Sequence, residues 1–355
     1  MVRSWPGKTC EHLAAGLVAS GAVLLLSAFQ FPAAAGEKYV FTTIDPPDMG
    51  YSGTNALFIN KHGEMGGYYH IKNGSGALNG FFRATDGSFQ SFAAPDGSRS
   101  IYVRGLNDQG TLVGEYQGVD FRTHGFLRKR NGALRTIDVP GSDGTLANGS
   151  NSHGTVTGNC AQGGFLMTAD GAFTTFAPEG SGFVYAYSVN DAGEVAGTYV
   201  DSGQVVHGFK RSADGTITVF DAPGAWDTVG TNIDGYGDVG GHYYDTANNG
   251  HGFIRHSDGT FSVFDPPGSR TTYMDGLSAR GKAAGGFTEQ PNHGYGHGFI
   301  RSTTGKIVTL DFPGALSSGL WQAGPHGSAV GTYLDSQQTW HGFVVSRPGA
   351  LGTTQ

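Results

Sequence analysis

Cysteine is almost missing from this chain: only Cys10 and Cys160 occur in 355 residues. Cys10 falls in a segment that reads as removable, so Cys160 has no partner and no disulfide framework can support the fold. Cys160 stands where most copies of a repeat carry Tyr or Phe, and it reads as a small buried hydrophobe. Positive charge is scarce too, with 22 Lys and Arg against 29 Asp and Glu and a net charge of −7. That excludes the basic surface needed for a nucleic-acid backbone or an anionic membrane. No segment of helix length carries a 3.6-residue apolar period, so the chain is expected to be all-β. Catalytic and metal signatures are missing as well. There is no zinc-type Cys/His spacing, no Asp-x-Asp-x-Asp-Gly calcium loop and no Gly-x-Ser-x-Gly elbow. The reading calls for no cofactor and no metal.

A long apolar run does occur at Leu13 to Phe31, preceded by Arg3 and Lys8 and followed by Ala33, Ala34 and Ala35. Positive start, apolar middle and small residues at the end form a secretory signal peptide over 1–35. Its cleavage would leave no membrane span and would place the protein outside the cytoplasm, secreted or periplasmic. The remainder divides into repeats over 36–350 and a short tail over 351–355.

What the chain has in excess is glycine, 61 residues, without the triplet spacing of collagen, so it marks turns. It also repeats itself. A Gly-Phe step, most often His-Gly-Phe, followed by a Gly-bearing turn and commonly by Asp-x-Pro-Gly, recurs with its Phe at 81, 126, 165, 209, 253, 299 and 343, spaced 39 to 46 residues apart. In residues 185–224 each copy resolves into four short runs rich in β-branched and aromatic residues, bounded by Gly, Asn, Asp or Pro. Seven units of four strands predict a seven-bladed β-propeller of antiparallel blades.

The last hairpin of each unit tests this reading. Centred on Asp214, the turn sets His207 opposite Asp221, and the same geometry pairs His124 with Asp138, His251 with Asp265 and His297 with Asp311. Units carrying Asn79 or Gly163 in place of the His carry Ala93 or Ala177 in place of the Asp. Joint loss is what a cross-strand contact predicts. His341 has no later partner, but the opening segment 39–47 is a matching strand with Asp45. It is expected to complete the last blade and remove its open edge.

The Gly-Leu-Asn or Val-Asn turns, the Val-x-Gly steps and His-Gly-Phe, as at His207-Gly208-Phe209, resemble those of the secreted bacterial HAF-repeat family. The resemblance spans nearly all of the chain after the leader. It implies a secreted β-propeller and no particular reaction, and it carries over no catalytic residue.

Function is expected where the copies differ. Three residues before the inner-strand Asn position the units show Leu57, Arg104, Asn148, Tyr187, Thr231, Asp275 and Trp321. Two residues earlier stand Asn55, Tyr102, Leu146, Tyr185, Val229, Tyr273 and Gly319. Core positions such as Ile59, Leu106, Val189, Ile233 and Leu277 stay alike. The mixed set is either blade packing or a polar, aromatic pocket at the central funnel. Its ligand-binding candidates are Tyr102, Arg104, Tyr187, Tyr273, Asp275 and Trp321, joined by His242, which ends a second strand among tyrosines. One face of the ring is expected to carry long loops, at 70–78, 117–123, 200–206, 244–250, 288–296 and 334–340, and so to be the binding face. Two readings stay open. One is a monomeric binding or scaffold propeller for an extracellular glycan or protein; the other is a polysaccharide lyase or hydrolase with a single site in the funnel.

Overall fold

The structure, a computed structural model, describes residues 39–72, 76–98, 100–278, 281–289 and 296–349. The leader and the tail lie outside the described residues. Within them regular structure is almost entirely strand, with a single 3-10 turn at Pro325–Gly327. No helix among them is long and apolar enough to cross a membrane.

The strands make five sheets of four antiparallel strands and one of eight. In the larger sheet, two four-stranded antiparallel stacks meet through one parallel bridge between Gly250 and Thr271. The fourth repeat shows the common plan. Ser181–Val189 pairs with Val195–Asp201, which pairs with Val206–Arg211, which pairs with Ile217–Phe220. Gly208 faces Phe220 and Phe209 faces Val219, the register that a turn centred on Asp214 demands. The amino-terminal strand Val40–Ile44 pairs with Trp340–Ser346 and becomes the fourth strand of the last repeat's sheet.

Aromatic rings join most sheets to the next, with Ile137 in that place before Phe165. The Phe of every Gly-Phe step is fully buried, a gain of about 1.5–3 kcal/mol for each ring. In four repeats a fourth-strand Phe of the preceding sheet packs edge-on against it, with centroids 6.0 Å apart for Phe92 and Phe126, and 6.1 Å for Phe176 and Phe209. An Arg two residues on lies over the same fourth-strand ring, Arg128 at 4.7 Å from Phe92 and Arg301 at 4.8 Å from Phe264. The glycine of Val-x-Gly makes this packing possible. A Cβ on Gly197 would fall 2.2 Å from the Tyr185 carbonyl oxygen and 2.7 Å from the Phe209 ring. Gly114 and Gly285 meet the same two obstacles, so the repeated glycine is a packing requirement and not a turn.

A second system of links runs through the turns between first and second strands. Asn60 Nδ2 donates to the Asn107 carbonyl (3.1 Å), Asn107 to Asn151 (2.8 Å), Asn151 to Asn190 (3.0 Å) and Asn190 to Asp234 (2.9 Å). Each Asn also holds its own turn through Oδ1, as Asn107 does with the amides of Gln109 and Thr111. One side chain thus closes a turn and ties it to its neighbour. From the last repeat to the first, Gln322 Oε1 accepts from the Ile59 amide at 2.9 Å.

Candidate functional site on the inner strands and one face

Every first strand contains a register shift at the same place, and the residue left unpaired is the chemically mixed one. The skips fall between Ala56 and Phe58, Val103 and Gly105, Ala147 and Gly149, Ala186 and Ser188, Gly230 and Asn232, Met274 and Gly276, and Leu320 and Gln322. Leu57, Arg104, Asn148, Tyr187, Thr231, Asp275 and Trp321 are therefore bulge residues. A bulge re-aims a side chain without ending the ladder, which frees these positions from the uniformity of their neighbours.

Several of them are anchored eleven residues along, on their own second strand. Arg104 grips Glu115 with Nη2 at 2.6 Å and Nε at 3.1 Å. Asn148 Nδ2 donates to Asn159 Oδ1 at 2.7 Å, and Trp321 Nε1 to Thr332 Oγ1 at 3.2 Å. The Arg104 and Glu115 side chains are only 13% and 8% exposed. Truncating Arg104 would strand a buried carboxylate, a loss of about 3–5 kcal/mol, so the ion pair serves structure whatever else it does. Sequence reading missed Glu115, although the spacing of eleven links three polar pairs and could have found it.

The candidates gather in two places. Tyr102 receives the Arg104 guanidinium 5.5 Å from its ring centre and meets Tyr68 edge-on at 5.2 Å. His242 meets Tyr273 at 5.4 Å and Tyr244 at 6.1 Å, both edge-on. Tyr244 and Tyr273 share a hydrogen bond, with Asp275 close enough to act on both electrostatically. Burial pushes His242 down to about 4, and its buried Nδ1 has no partner among the described residues. Burial raises both tyrosines further above their ordinary range, and for Tyr244 the hydroxyl of Tyr273 adds to it. His242, Tyr244 and Tyr273 thus all stay neutral around pH 7. Tyr187 stacks on Tyr185 with centroids 6.0 Å apart.

At the four expected loops that are fully described, length does not set one face apart. The second-to-third strand hairpins at 118–122, 202–205, 246–249 and 335–339 are no longer than the opposite turns at 60–64 and 190–194. The flanking strands run on past the expected boundaries, with Val200 pairing Val206 and Tyr244 pairing Gly250, and so consume the loops. The expected loops 70–78 and 288–296 lie partly outside the described residues. What does distinguish the face is exposed apolar surface. Tyr51, Val119, Phe121, Phe183, Trp226 and Leu316, all exposed, lie in its hairpins or at the starts of first strands. Two clefts open on the same face, of about 380 Å³ beside His124 and about 400 Å³ beside His251.

No known family's sequence profile matches the chain, and no curated protein sequence matches it. Solved structures do. Virginiamycin B lyase from Staphylococcus aureus aligns with a TM-score of 0.55 at 12% identity, covering 87% of this chain and 99% of the lyase. The β-propeller domain of the Trilobed protease from Pyrococcus furiosus gives 0.57 at 8%, over 84% and 97%. The BP39L lectin from Burkholderia pseudomallei gives 0.52 at 10%, over 84% and 96%. The fold is that of a β-propeller. Identities this low speak to the fold alone.

Within the propeller, the four His–Asp pairs read from hairpin arithmetic are present, and so is the fifth, His341 with Asp45, read from the opening strand. Nδ1 lies 2.9 Å from the carboxylate for His124 and Asp138, 2.8 Å for His207 and Asp221, and 2.7 Å for His251 and Asp265. His297 and Asp311 are 2.8 Å apart, and His341 and Asp45 2.6 Å. Each ring also lies near the second-strand aromatic opposite it, as His341 does 4.9 Å from Tyr333. Sequence reading missed a second carboxylate on Nε2: Asp120 at 3.1 Å from His124 and Asp335 at 3.2 Å from His341, with Asp201 and Asp245 each 3.6 Å from His207 and His251. For His124, partial burial is outweighed by Asp138 and Asp120, which hold the ring above its ordinary pKa. For His297 the bond to Asp311 does the same. No group of His, Cys, Asp and Glu among the described residues has the arrangement of a metal site.

Proposed function

We propose that the chain is a secreted, monomeric, seven-bladed β-propeller closed by its amino-terminal strand, and that it binds a polar, glycan-type ligand on the face that carries the two clefts. The blade count rests on seven sequence copies of a four-strand unit, two of them bridged at Gly250 and Thr271. Closure rests on the pairing of Val40–Ile44 with Trp340–Ser346. Secretion rests on the leader signature of 1–35 and on the HAF-type repeats.

The observation that carries the binding role is that Tyr51, Phe121, Phe183 and Trp226, from four different repeats, are 46–90% exposed on one face. Exposed aromatics in number mark an interaction surface, and their flat faces suit sugar rings better than ions. The enzyme reading, a polysaccharide lyase or hydrolase in the funnel, asks for a group that exchanges a proton near neutrality. His242, pushed down to about 4, and Tyr244 and Tyr273, pushed up, are displaced the wrong way for it. A neutral His–Tyr–Tyr cluster instead offers hydrogen bonds to an uncharged ligand.

Residues 36–355, applied to a glycan array, test the reading. Wild type is expected to bind neutral saccharides. Phe183→Ala and Trp226→Ala, both exposed, are expected to reduce the signal at least tenfold with melting temperatures close to wild type. A wild-type protein that binds no glycan refutes the reading.

A further inference from the structure

Four hairpins of the binding face place a non-glycine residue in the left-handed region: Phe121 at φ 65°, Gln204 at 65°, Asn248 at 62° and Gln338 at 63°. The position is the same in each, three residues after the start of the turn, as shown by Phe121 N donating to the Gly118 carbonyl and Gln204 N to that of Asp201. Asn and Gln at three of them are polar, and Asn is among the residues best tolerated there. Phe gains nothing from this backbone and is 86% exposed, so folding gives no reason to keep it. Strain held at an exposed aromatic points to a use.

The cleft whose lining begins at the next residue, Arg122, supplies that use. Its lining includes Arg122, His124, Asp138, Ser142 and Asp143 around about 380 Å³. Arg122 spends Nη2 on the Ser142 carbonyl (2.7 Å) and Asp143 Oδ1 (3.2 Å), and Nε on the Asp143 carbonyl (3.2 Å). None of these bonds uses Nη1, which carries two N–H donors of its own. Asp138 Oδ1 accepts from His124 Nδ1, which leaves the other oxygen as an acceptor. Fixed donors beside fixed acceptors suit adjacent hydroxyls, each of which both donates and accepts. Three carboxylates, Asp120, Asp138 and Asp143, outnumber Arg122 and His124, so a carboxylated or sulfated ring meets net repulsion. The cleft beside His251 is also lined by an Asp, a Ser and an Arg, Asp265, Ser269 and Arg270, but both Asp265 oxygens are already bonded, to His251 and Thr272, and its hairpin carries Asn248 where Phe121 stands.

Resting on the glycan-binding reading above, we infer that the cleft between the second and third repeats is a saccharide subsite. In it a neutral pyranose stacks on Phe121 while a vicinal hydroxyl pair bridges Arg122 and Asp138. The site is separate from the inner-strand bulges.

The test is titration of residues 36–355 with methyl glycosides of neutral hexoses and of uronic acids, followed by NMR and calorimetry, on wild type, Phe121→Asn, Gln204→Ala and Trp321→Ala. Phe121→Asn puts a residue suited to the left-handed region at that position, so its melting temperature should equal or exceed that of wild type. Its affinity for the neutral glycosides should fall at least tenfold, while Gln204→Ala binds as wild type and uronic glycosides bind more weakly throughout. If Phe121→Asn binds as wild type while Trp321→Ala does not, the subsite fails and the inner-strand reading stands. Preference for uronic glycosides overturns the charge argument and with it the subsite. Absence of wild-type binding to either class overturns both.

Discussion

Asp234 breaks the chain of amide links between turns, and Asp234→Asn should repair it. Its Oδ1 does what the asparagines do, accepting from the amides of Tyr236 at 2.8 Å and Asp238 at 3.0 Å. Its other oxygen sits where Asn60, Asn107, Asn151 and Asn190 each present an N–H to the next turn. That oxygen is buried with no partner among the described residues, and it faces the following turn, since a Cβ built on Gly281 would lie 3.6 Å away. The residue is 1% exposed. A donor in place of an orphaned acceptor gains one hydrogen bond, about 0.5–1.5 kcal/mol, and removes a desolvation cost of similar size. We expect Asp234→Asn to stabilise by about 1–2 kcal/mol at pH 7, a rise of roughly 2–4 °C in melting temperature.

The pH dependence identifies the cause. Burial raises the Asp234 carboxyl above its ordinary range. A raised carboxyl contributes stability that is complete below the unfolded value, about 3.9, and is lost as pH climbs through the folded value. Asparagine does not titrate. The advantage of Asp234→Asn should therefore be small near pH 4, where the protonated acid can itself donate, and should grow to a plateau at neutral pH. Asn190→Asp should introduce the same defect one link earlier, with the opposite sign and the same pH profile. Thermal melts of the three proteins from pH 4 to 8 decide the matter. An Asp234→Asn protein that melts no higher than wild type at pH 7, or whose gain is the same at both ends of the range, refutes the reasoning.

Two further outcomes follow from the strand pairing. His207→Ala and Asp221→Ala should each cost about 0.5–1.5 kcal/mol, the lower range because the Asp221 side chain is 49% exposed; the double variant should cost less than the sum in chemical denaturation, and full additivity would deny the contact. Deleting residues 39–47 removes the partner strand of Trp340–Ser346 and the carboxylate of His341, leaving an open edge. A soluble monomer that melts with the intact protein would show that the amino-terminal strand closes nothing.

The sequence made the hairpins legible because two residue types had to change together. His and Asp occupy a fixed register about a turn centre, so Asn79 with Ala93 and Gly163 with Ala177 betrayed the contact without any structure. The same logic was available for Arg104 and Glu115, Asn148 and Asn159, and Trp321 and Thr332, eleven residues apart, but it stayed hidden. Their spacing crosses a bulge, which adds a residue to one strand and breaks the alternation that locates partners. The bulge is also why the first-strand residues looked functional. A position relieved of ladder pairing is free to vary for packing and for recognition alike, so variability among copies marks freedom from one constraint and not the presence of another. Phe121 differs in kind. It varies where the backbone at φ 65° still favours a small polar residue, and it varies against that preference. Departure from a constraint that still holds is stronger evidence of selection for a ligand than diversity where no constraint remains, and on that ground the rim beside Arg122 has the better claim to recognition.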